Sequence, residues 1–172
     1  MCRRRIQIQG RTSTNGAYHG LRCNAKTEGS MSFDVLAQLN WVAVIVGTVV
    51  YFAIGAVWFT PILFGRPWQR SIGWDPSRTA PQMNPVTYAV PAVLYLLASI
   101  ATGMLAAATG STTFGSGIVL GLVVAVGYAL VVIANDAVFD PNKPEPVTWF
   151  VITGGYNLVG LLIVAVLVSV WH

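Results

Sequence analysis

The feature that most constrains this chain is an uncharged run from Asn40 to Phe59, with the sequence NWVAVIVGTVVYFAIGAVWF. An α-helix rises 1.5 Å per residue, so about 20 residues cross a hydrocarbon layer about 30 Å thick. Such a helix would expose apolar surface on every side in water, and a bilayer is therefore its natural solvent. The run predicts a helix that spans a membrane.

Three more runs of the same kind follow, and together they predict an all-α fold, a bundle of four transmembrane helices. The predicted spans are residues 38–60, 86–108, 116–136 and 147–170. The composition agrees with this fold, because 55% of the residues are hydrophobic and only 9% are charged. A soluble domain of this length would rarely have such a composition. We therefore expect the lipid bilayer to be the main partner of the chain.

The first 30 residues differ from the rest of the chain. They hold six of the ten Lys and Arg residues, and they lack the apolar core of a secretory signal. Three interpretations are open: a disordered basic leader, an Arg-rich organellar presequence, or an extension upstream of a true start at Met31. We favour the third, which makes residues 31–172 the four-helix membrane domain. In all three cases we expect residues 1–30 to be poorly ordered.

The charges and reactive residues of the domain exclude several classes of function. After Met31, four basic residues face five acidic ones, so the basic pI belongs to the leader and no nucleic-acid partner is predicted. Cys2, Cys23 and His19 lie in the leader and His172 is the last residue, which leaves the 31–172 body no thiol and no internal histidine for a metal or haem site. We predict no metal and no cofactor.

Sequence signatures of common enzymes are also missing. No span contains paired carboxylates, and the HExxH, GxSxG and GxxxxGK[ST] motifs do not occur in the chain. The sequence leaves the question of an enzyme open and favours a protein that is not one. Catalysis on a lipid is the enzymatic function that the sequence leaves open.

Each predicted helix carries one face of polar and small residues. Tyr51, Tyr95, Tyr128 and Asn157 lie on these faces, close to the centres of their helices. Polar groups at this depth need protein partners, because acyl chains offer no hydrogen bonds. We predict that these four side chains form a midplane tier, in which Asn157 is hydrogen-bonded to at least one tyrosine.

A second tier is predicted where the helices meet the long loop after the first span. We call it the loop-end tier, and its members are Trp58, Tyr88, Asp136 and Trp149. Asn135 and Asp136 are expected to cap the third helix, where the helix dipole opposes the charge of Asp136. We expect Arg66 or Arg70 to pair with this carboxylate. An interfacial ion pair and a proton or cation site are both open interpretations.

The distribution of positive charge predicts the orientation of the bundle. The loop of residues 62–85 holds Arg66, Arg70 and Arg78, whereas the next loop has no basic residue and the last has one lysine. Positively charged short loops stay on the cytoplasmic side. We predict that loop 62–85 is cytoplasmic and that both ends of the 31–172 body lie on the opposite side.

A GxxxG pair, Gly117 and Gly121, lies on the third predicted span, and Ala125 and Tyr128 continue the same face. Such pairs allow two helices to approach closely. We favour packing within the bundle. A homo-oligomer that forms through Gly117 and Gly121 is the alternative.

Three sequence elements carry a family resemblance. They are NWVAV at the start of the first span, AVWFTPILFGRPWQRSIG at its end, and WFVITGGYNLVGLLIVAVL in the last span. The middle element fits the pattern W-[YF]-x-P-x-x-F-G-x-x-W. Over residues 38–172 the chain resembles domain-of-unknown-function family 1761, a group of small four-helix bacterial membrane proteins. The resemblance implies the bacterial inner membrane, and it implies no catalytic residues, because no activity is established for the family.

Two hypotheses of different classes follow. In the first, the bundle binds or conducts a small amphipathic molecule through the midplane tier. In the second, it is a structural or accessory membrane protein without a ligand. A connected cavity that touches Tyr51, Tyr95 and Asn157 would favour the first, and a filled centre would favour the second.

Overall fold

The computed structural model describes residues 33–74 and 85–171. The predicted leader, residues 1–30, lies outside the described residues. Within the described ranges the chain forms helices, turns and loops, and no strand. Four helical segments in these ranges are long and apolar enough to cross a membrane. The predicted all-α, four-span fold is thereby confirmed.

The helices have the following bounds. In chain order they are a 3₁₀-helix Phe33–Gln38, α1 Trp41–Trp58, α2 Gly65–Ser71, α3 Pro85–Thr109, α4 Phe114–Val124, a π-helical turn Ala125–Ala129, α5 Leu130–Phe139 and α6 Pro146–Val170. The segment Phe114–Phe139 is one continuous span, which we call the third span. It extends beyond the predicted boundary at residue 136. Asn135 and Asp136 therefore lie inside α5, and the cap is Asp140.

Local sequence signals explain where the spans begin. The Asn40 side chain caps α1, where its Oδ1 atom accepts hydrogen bonds from the backbone N–H groups of Val42 at 3.1 Å and Ala43 at 3.2 Å. Thr113 and Ser116 form a reciprocal capping box at the start of α4. Pro146 occupies the first turn of α6, where its missing N–H has no cost.

A short helix, α2, lies in the Arg-rich loop that the sequence presents only as a connection. Its Trp68 ring packs edge-on against Phe59, with 5.3 Å between the ring centroids. The buried Ser71 uses its backbone carbonyl to accept a hydrogen bond from the N–H of Glu145 at 3.4 Å. This bond joins the loop after α1 to the loop before α6.

Helix α6 is the centre of the bundle, because it contacts α1, α2, α3, α4 and α5. Its tightest partner is α4. A Cβ atom added to Gly117 would lie 2.9 Å from Cα of Val166, and one added to Gly121 would lie 2.9 Å from Cα of Leu162. The GxxxG pair therefore packs against α6 within the bundle, the arrangement that is favoured from the sequence.

Candidate functional site

The midplane of the bundle contains a hydrogen-bonded aromatic cluster. Tyr51 on α1 is only 2% exposed, and its ring stacks on Tyr95 of α3 with 4.4 Å between centroids. Its hydroxyl donates to Asn157 Oδ1 at 2.6 Å, and Asn157 Nδ2 donates to the Thr153 carbonyl at 2.8 Å. Three of the four members of the midplane tier are thus in one connected group, with a tyrosine bonded to Asn157.

Tyr156 belongs to the same cluster, although sequence reasoning missed it. Its ring lies 5.3 Å from Tyr51, 6.0 Å from Tyr95 and 5.4 Å from Phe59, measured between centroids. Its hydroxyl donates to the backbone carbonyl of Tyr51 at 3.3 Å. The sequence did contain a sign of this role, because Tyr156 directly precedes Asn157. An interior face of α6 that is wide enough includes both positions.

Gly160 makes room for the cluster. A Cβ atom at this position would overlap the ring of Tyr51, so the ring lies directly against the α6 backbone. Val164, one turn further along α6, is fully buried in the same core. Aromatic rings therefore fill the space between α1, α3 and α6 at this depth.

Tyr128 does not join the tier, and the prediction for this residue is wrong. It is 69% exposed on the outer surface of the bundle. The π-helical turn Ala125–Ala129 is the reason, because it adds one residue to a turn and rotates the rest of the span by about 100°. Ala125 faces the interior, and the next position on the interior face is Leu130, five residues further along. The Cδ2 atom of Leu130 lies beside Gly154.

Two of the four members of the loop-end tier, Asp136 and Trp149, are joined by a shared partner. The Trp58 indole N–H donates to the Ile152 carbonyl at 3.1 Å, and its ring packs on Phe64 with 4.7 Å between centroids. Tyr88 lies near the start of α3 and is half exposed. The other two members, Asp136 and Trp149, meet through a residue that the sequence did not single out.

That residue is Lys143, which forms a clamp in the loop between α5 and α6. Its ammonium group lies 2.9 Å from Asp136 Oδ2, 2.6 Å from Asp140 Oδ2 and 4.2 Å from the ring centroid of Trp149. Its side chain is only 7% exposed. The expected partner of Asp136 was Arg66 or Arg70, and this expectation is wrong. The carboxylate of Asp136 pairs instead with Lys143, seven residues further along the chain.

The clamp shifts the titration of its own groups. The hydrogen bond from Lys143 is the main cause that lowers the pKa of Asp140, with help from the backbone N–H of Asn142. In turn, the hydrogen bond to Asp140 is the main cause that raises the pKa of Lys143, against the effect of desolvation. Both shifts favour the charged forms, so the clamp is an ion-pair network at neutral pH.

Two buried hydroxyls have no hydrogen-bond partner within the described residues. They belong to Ser99 on α3 and Thr153 on α6. Ser99 follows Tyr95 by one turn towards the end of α3, while Thr153 precedes Asn157 by one turn towards the start of α6. Since α3 and α6 both begin at the loop end, the two hydroxyls lie on opposite sides of the aromatic cluster.

A cavity lies at the other end of the bundle, which we call the far end. Its volume is about 160 Å³, and its walls include Asn40, Val44, Gly103, Ser111 and Trp171. The buried hydroxyls of Ser111 and Ser169 form a hydrogen bond of 2.9 Å beside it. None of the side chains of the aromatic cluster lines this cavity.

An open groove runs along the outer surface between α3 and the middle of the third span. We call it the α3–α5 groove. It is lined by Ala98, Ala101, Thr102, Leu105, Val124, Tyr128, Ala129, Val132 and Leu161. Its walls are almost wholly apolar, and Leu161 of α6 forms part of its floor.

Comparison with known proteins adds the family. The family described as "Protein of unknown function (DUF1761)" matches residues 42–169, well over half of the chain. No curated protein and no solved structure matches this chain. Among residues 33–74 and 85–171, no three His, Cys, Asp or Glu side chains come together as a metal site would require.

Proposed function

This chain belongs to the DUF1761 family of proteins of unknown function, and we propose that it is a structural or accessory membrane protein that acts through its surface. In this role the bundle holds its shape in the bilayer and binds other membrane components. Its centre conducts no solute. The single observation that supports this role is the filled interior around Tyr51.

The support comes from how the midplane is packed. Tyr51 is stacked on Tyr95, lies against the backbone at Gly160 and hydrogen-bonds Asn157. Tyr156 closes the remaining side by donating to the Tyr51 carbonyl. A solute that passed along the axis would have to displace stacked rings and break both hydrogen bonds. Packed interiors transmit strain but leave no path of this kind.

Native mass spectrometry of the detergent-purified protein tests this proposal. We expect wild type and Tyr51→Phe to carry the same bound molecules, because the cluster is a packing element. Tyr51→Phe should lower thermal stability only. A small molecule that is bound by wild type and lost in Tyr51→Phe, with the fold intact, would contradict the proposal. The matched control is Tyr88→Phe, the same change at a half-exposed tyrosine outside the cluster.

Binding of a small amphipathic molecule is a second candidate, and the far-end cavity favours it over the midplane tier. A cavity of about 150 Å³ in an apolar core can hold a molecule of the size of benzene, and this one measures about 160 Å³. Its lining combines apolar side chains with Asn40 and Ser111. Such walls suit a ligand with one polar end.

A variant that fills the far-end cavity distinguishes small-molecule binding in that cavity from the structural role proposed first. Ala107 lines the cavity and is exposed, so Ala107→Leu is expected to fill the space without disturbing the fold. We expect this variant to lose any bound small molecule that wild type retains. Ala56→Leu, a change at an exposed position of α1 that does not line the cavity, should keep it. Equal retention in both variants would contradict binding at the far end.

For location and orientation, we propose the bacterial inner membrane with loop 62–85 in the cytoplasm. The three arginines of this loop support the assignment. Single cysteines at Gln69 and at Gly115, in a background without Cys2 and Cys23, test it in intact cells. A membrane-impermeant thiol reagent should label Gly115→Cys at the far end and leave Gln69→Cys unlabelled. The reverse pattern would overturn the orientation.

A further inference from the structure

We propose that α2 is a binding element for anionic phospholipids, in which Arg66 and Arg70 together hold the phosphate of a lipid headgroup. This inference names one partner for the surface role proposed above and rests on that role. Arg66 and Arg70 are both exposed and lie four residues apart on α2, so they share one face of the helix. Two guanidinium groups one turn apart can reach the same headgroup.

Both arginines lack a counter-ion within the protein. Among residues 33–74 and 85–171, neither guanidinium group forms an ion pair or a hydrogen bond. The only other basic side chain in these ranges is Lys143, which two carboxylates already bind. A guanidinium group binds phosphate through two parallel N–H donors, and basic side chains beside a membrane attract anionic lipids. The arginine pair is therefore available to an external anion.

The inner face of α2 fixes the helix on the bundle. Trp68 packs on Phe59, and the Ser71 carbonyl accepts a hydrogen bond from the loop before α6. A Cβ atom added to Gly65 would overlap the Phe59 carbonyl oxygen, so the helix also starts in close contact with the preceding turn. The two arginines therefore project from a helix that is already ordered, and binding an anion costs little backbone entropy.

The end of α2 is fixed as well. The N–H of Trp74 donates to the Gln69 carbonyl at 2.9 Å, and the N–H of Gly73 donates to the Arg70 carbonyl at 3.0 Å. These two bonds form a Schellman motif, which Gly73 accommodates with a φ of +67°. The motif holds the exposed indole of Trp74 just after the arginines, and indoles concentrate at the level of the headgroups.

The position of α2 along the chain places the arginines at the boundary between acyl chains and headgroups. The first span, α1, ends at Trp58. The turn after it exposes apolar side chains, with Ile62 93% exposed and Leu63 and Phe64 partly so. These side chains suit acyl chains, and the charged face of α2 follows them directly. Lipid phosphates lie at this boundary.

The combination of charged and apolar surface identifies a phospholipid as the occupant. An acidic protein segment would match the arginines but would leave the exposed apolar turn at residues 62–64 without a partner. A phospholipid matches both parts, because it carries a phosphate and acyl chains in one molecule. The second arginine repels the cationic group of a zwitterionic headgroup, so a lipid with a net negative headgroup binds better.

Native mass spectrometry of the full chain in mixed micelles tests the lipid class. The purified protein is mixed with equal amounts of phosphatidylglycerol and phosphatidylcholine that carry the same acyl chains. We expect wild type to retain phosphatidylglycerol preferentially. The preference should fall about 5-fold in Arg66→Gln or Arg70→Gln and about 30-fold in the double variant, given the typical contribution of one basic residue beside an anionic membrane.

Gly115→Glu is the matched control for net charge. It lowers the net charge by one, as Arg66→Gln does, but at an exposed far-end position with nothing within 4 Å of the new Cβ atom. This variant should keep the preference for phosphatidylglycerol. An equal loss of preference in Gly115→Glu and Arg66→Gln would overturn the proposal, because net charge alone would then explain it. Micelles have no sides, so the role of the arginines in orientation does not affect the measurement.

The same measurement separates this inference from the structural role. Tyr51→Phe, which tests the filled centre, should keep the full preference for phosphatidylglycerol. A small molecule lost in Tyr51→Phe would contradict the structural role, whereas equal retention of the two lipids by wild type would overturn the inference about α2. An acidic protein that co-purifies with wild type and is lost in the double variant, with equal retention of the two lipids, would also overturn it.

Discussion

Tyr51 and Tyr128 each lie near the centre of their own span and have opposite environments. Tyr51 is enclosed by Tyr95, Tyr156 and Gly160, and it hydrogen-bonds Asn157. Tyr128 projects from the third span beside an open groove. The comparison shows that neither residue type nor depth decides the role of a membrane tyrosine. The register of its helix decides it.

The register differs because of one extra residue. Helix α1 is regular from Trp41 to Trp58, so positions at steps of three and four keep one face, and Tyr51 stays inside. The third span contains the π-helical turn Ala125–Ala129, and Tyr128 is turned outward. π-Helical turns are frequently found at functional sites. One side of the bundle is therefore closed around its polar groups, and the other side is open.

The largest effect on stability is expected at Gly160, where the Tyr51 ring lies directly against the α6 backbone. Gly160→Ala places a methyl group into the ring of Tyr51, and overpacking of this kind costs about 1 to 3 kcal/mol. Reversible unfolding in mixed micelles measures the loss. Gly115→Ala is the matched control, because nothing lies within 4 Å of its new Cβ atom, and it should be neutral or slightly stabilising. Equal costs for the two changes would mean that Tyr51 is not packed against α6.

A smaller effect separates the two tyrosines directly. Tyr51→Phe removes the hydrogen bond to Asn157 and should lower the free energy of unfolding by about 0.6 to 1.7 kcal/mol. Tyr128→Phe should leave the unfolding of the monomer unchanged, because its hydroxyl has no partner among the described residues. The same micelle titration measures both variants. A larger loss in Tyr128→Phe than in Tyr51→Phe would reverse the comparison.

The smallest effect is expected at the Lys143 clamp, because its carboxylates, on Asp136 and Asp140, are partly exposed to water. The lowered pKa of Asp140 stabilises the fold above the ordinary carboxyl pKa of about 4, and this contribution is lost as pH falls through the lowered value. The raised pKa of Lys143 stabilises the fold below its ordinary pKa, and this contribution is lost as pH rises through the raised value.

Melting temperatures from about pH 6 to about pH 3 check the clamp. In Lys143→Met the melting temperature should fall less over the pH range in which Asp140 is protonated, because the Asp140 carboxylate no longer has its main partner. Arg70→Met, which removes a positive charge from α2 in the other loop, should leave the shape of the profile unchanged. Identical profiles for Lys143→Met and wild type would exclude a stabilising clamp.

Most of the fold was predictable from hydropathy, because a bilayer requires long apolar helices and allows few alternatives. The pair Tyr51 and Asn157 followed from helical periodicity, since both helices are regular there. The family assignment also agrees with the sequence elements that suggested it.

The rest was hidden for identifiable physical reasons. No residue type marks the π-helical turn, so Tyr128 was assigned to the wrong face. The partner of Asp136 depended on how the loop folds back, and charge alone favoured the arginines over Lys143. Helix α2 is stabilised by contacts of Trp68 and Ser71 with distant residues, which a local pattern does not contain.

The central position of α6 has a consequence for biogenesis. Ribosomes release the chain from its N-terminal end, so α1 enters the bilayer before the segment that carries Asn157 and Gly160 has been made. Until then the Tyr51 hydroxyl has no Asn157 side chain to which it can donate, and the Tyr51 ring has no Gly160 backbone against which it can pack. A nascent chain truncated before Pro146 would keep three membrane segments but no completed core, and it would be a natural substrate for membrane quality-control proteases.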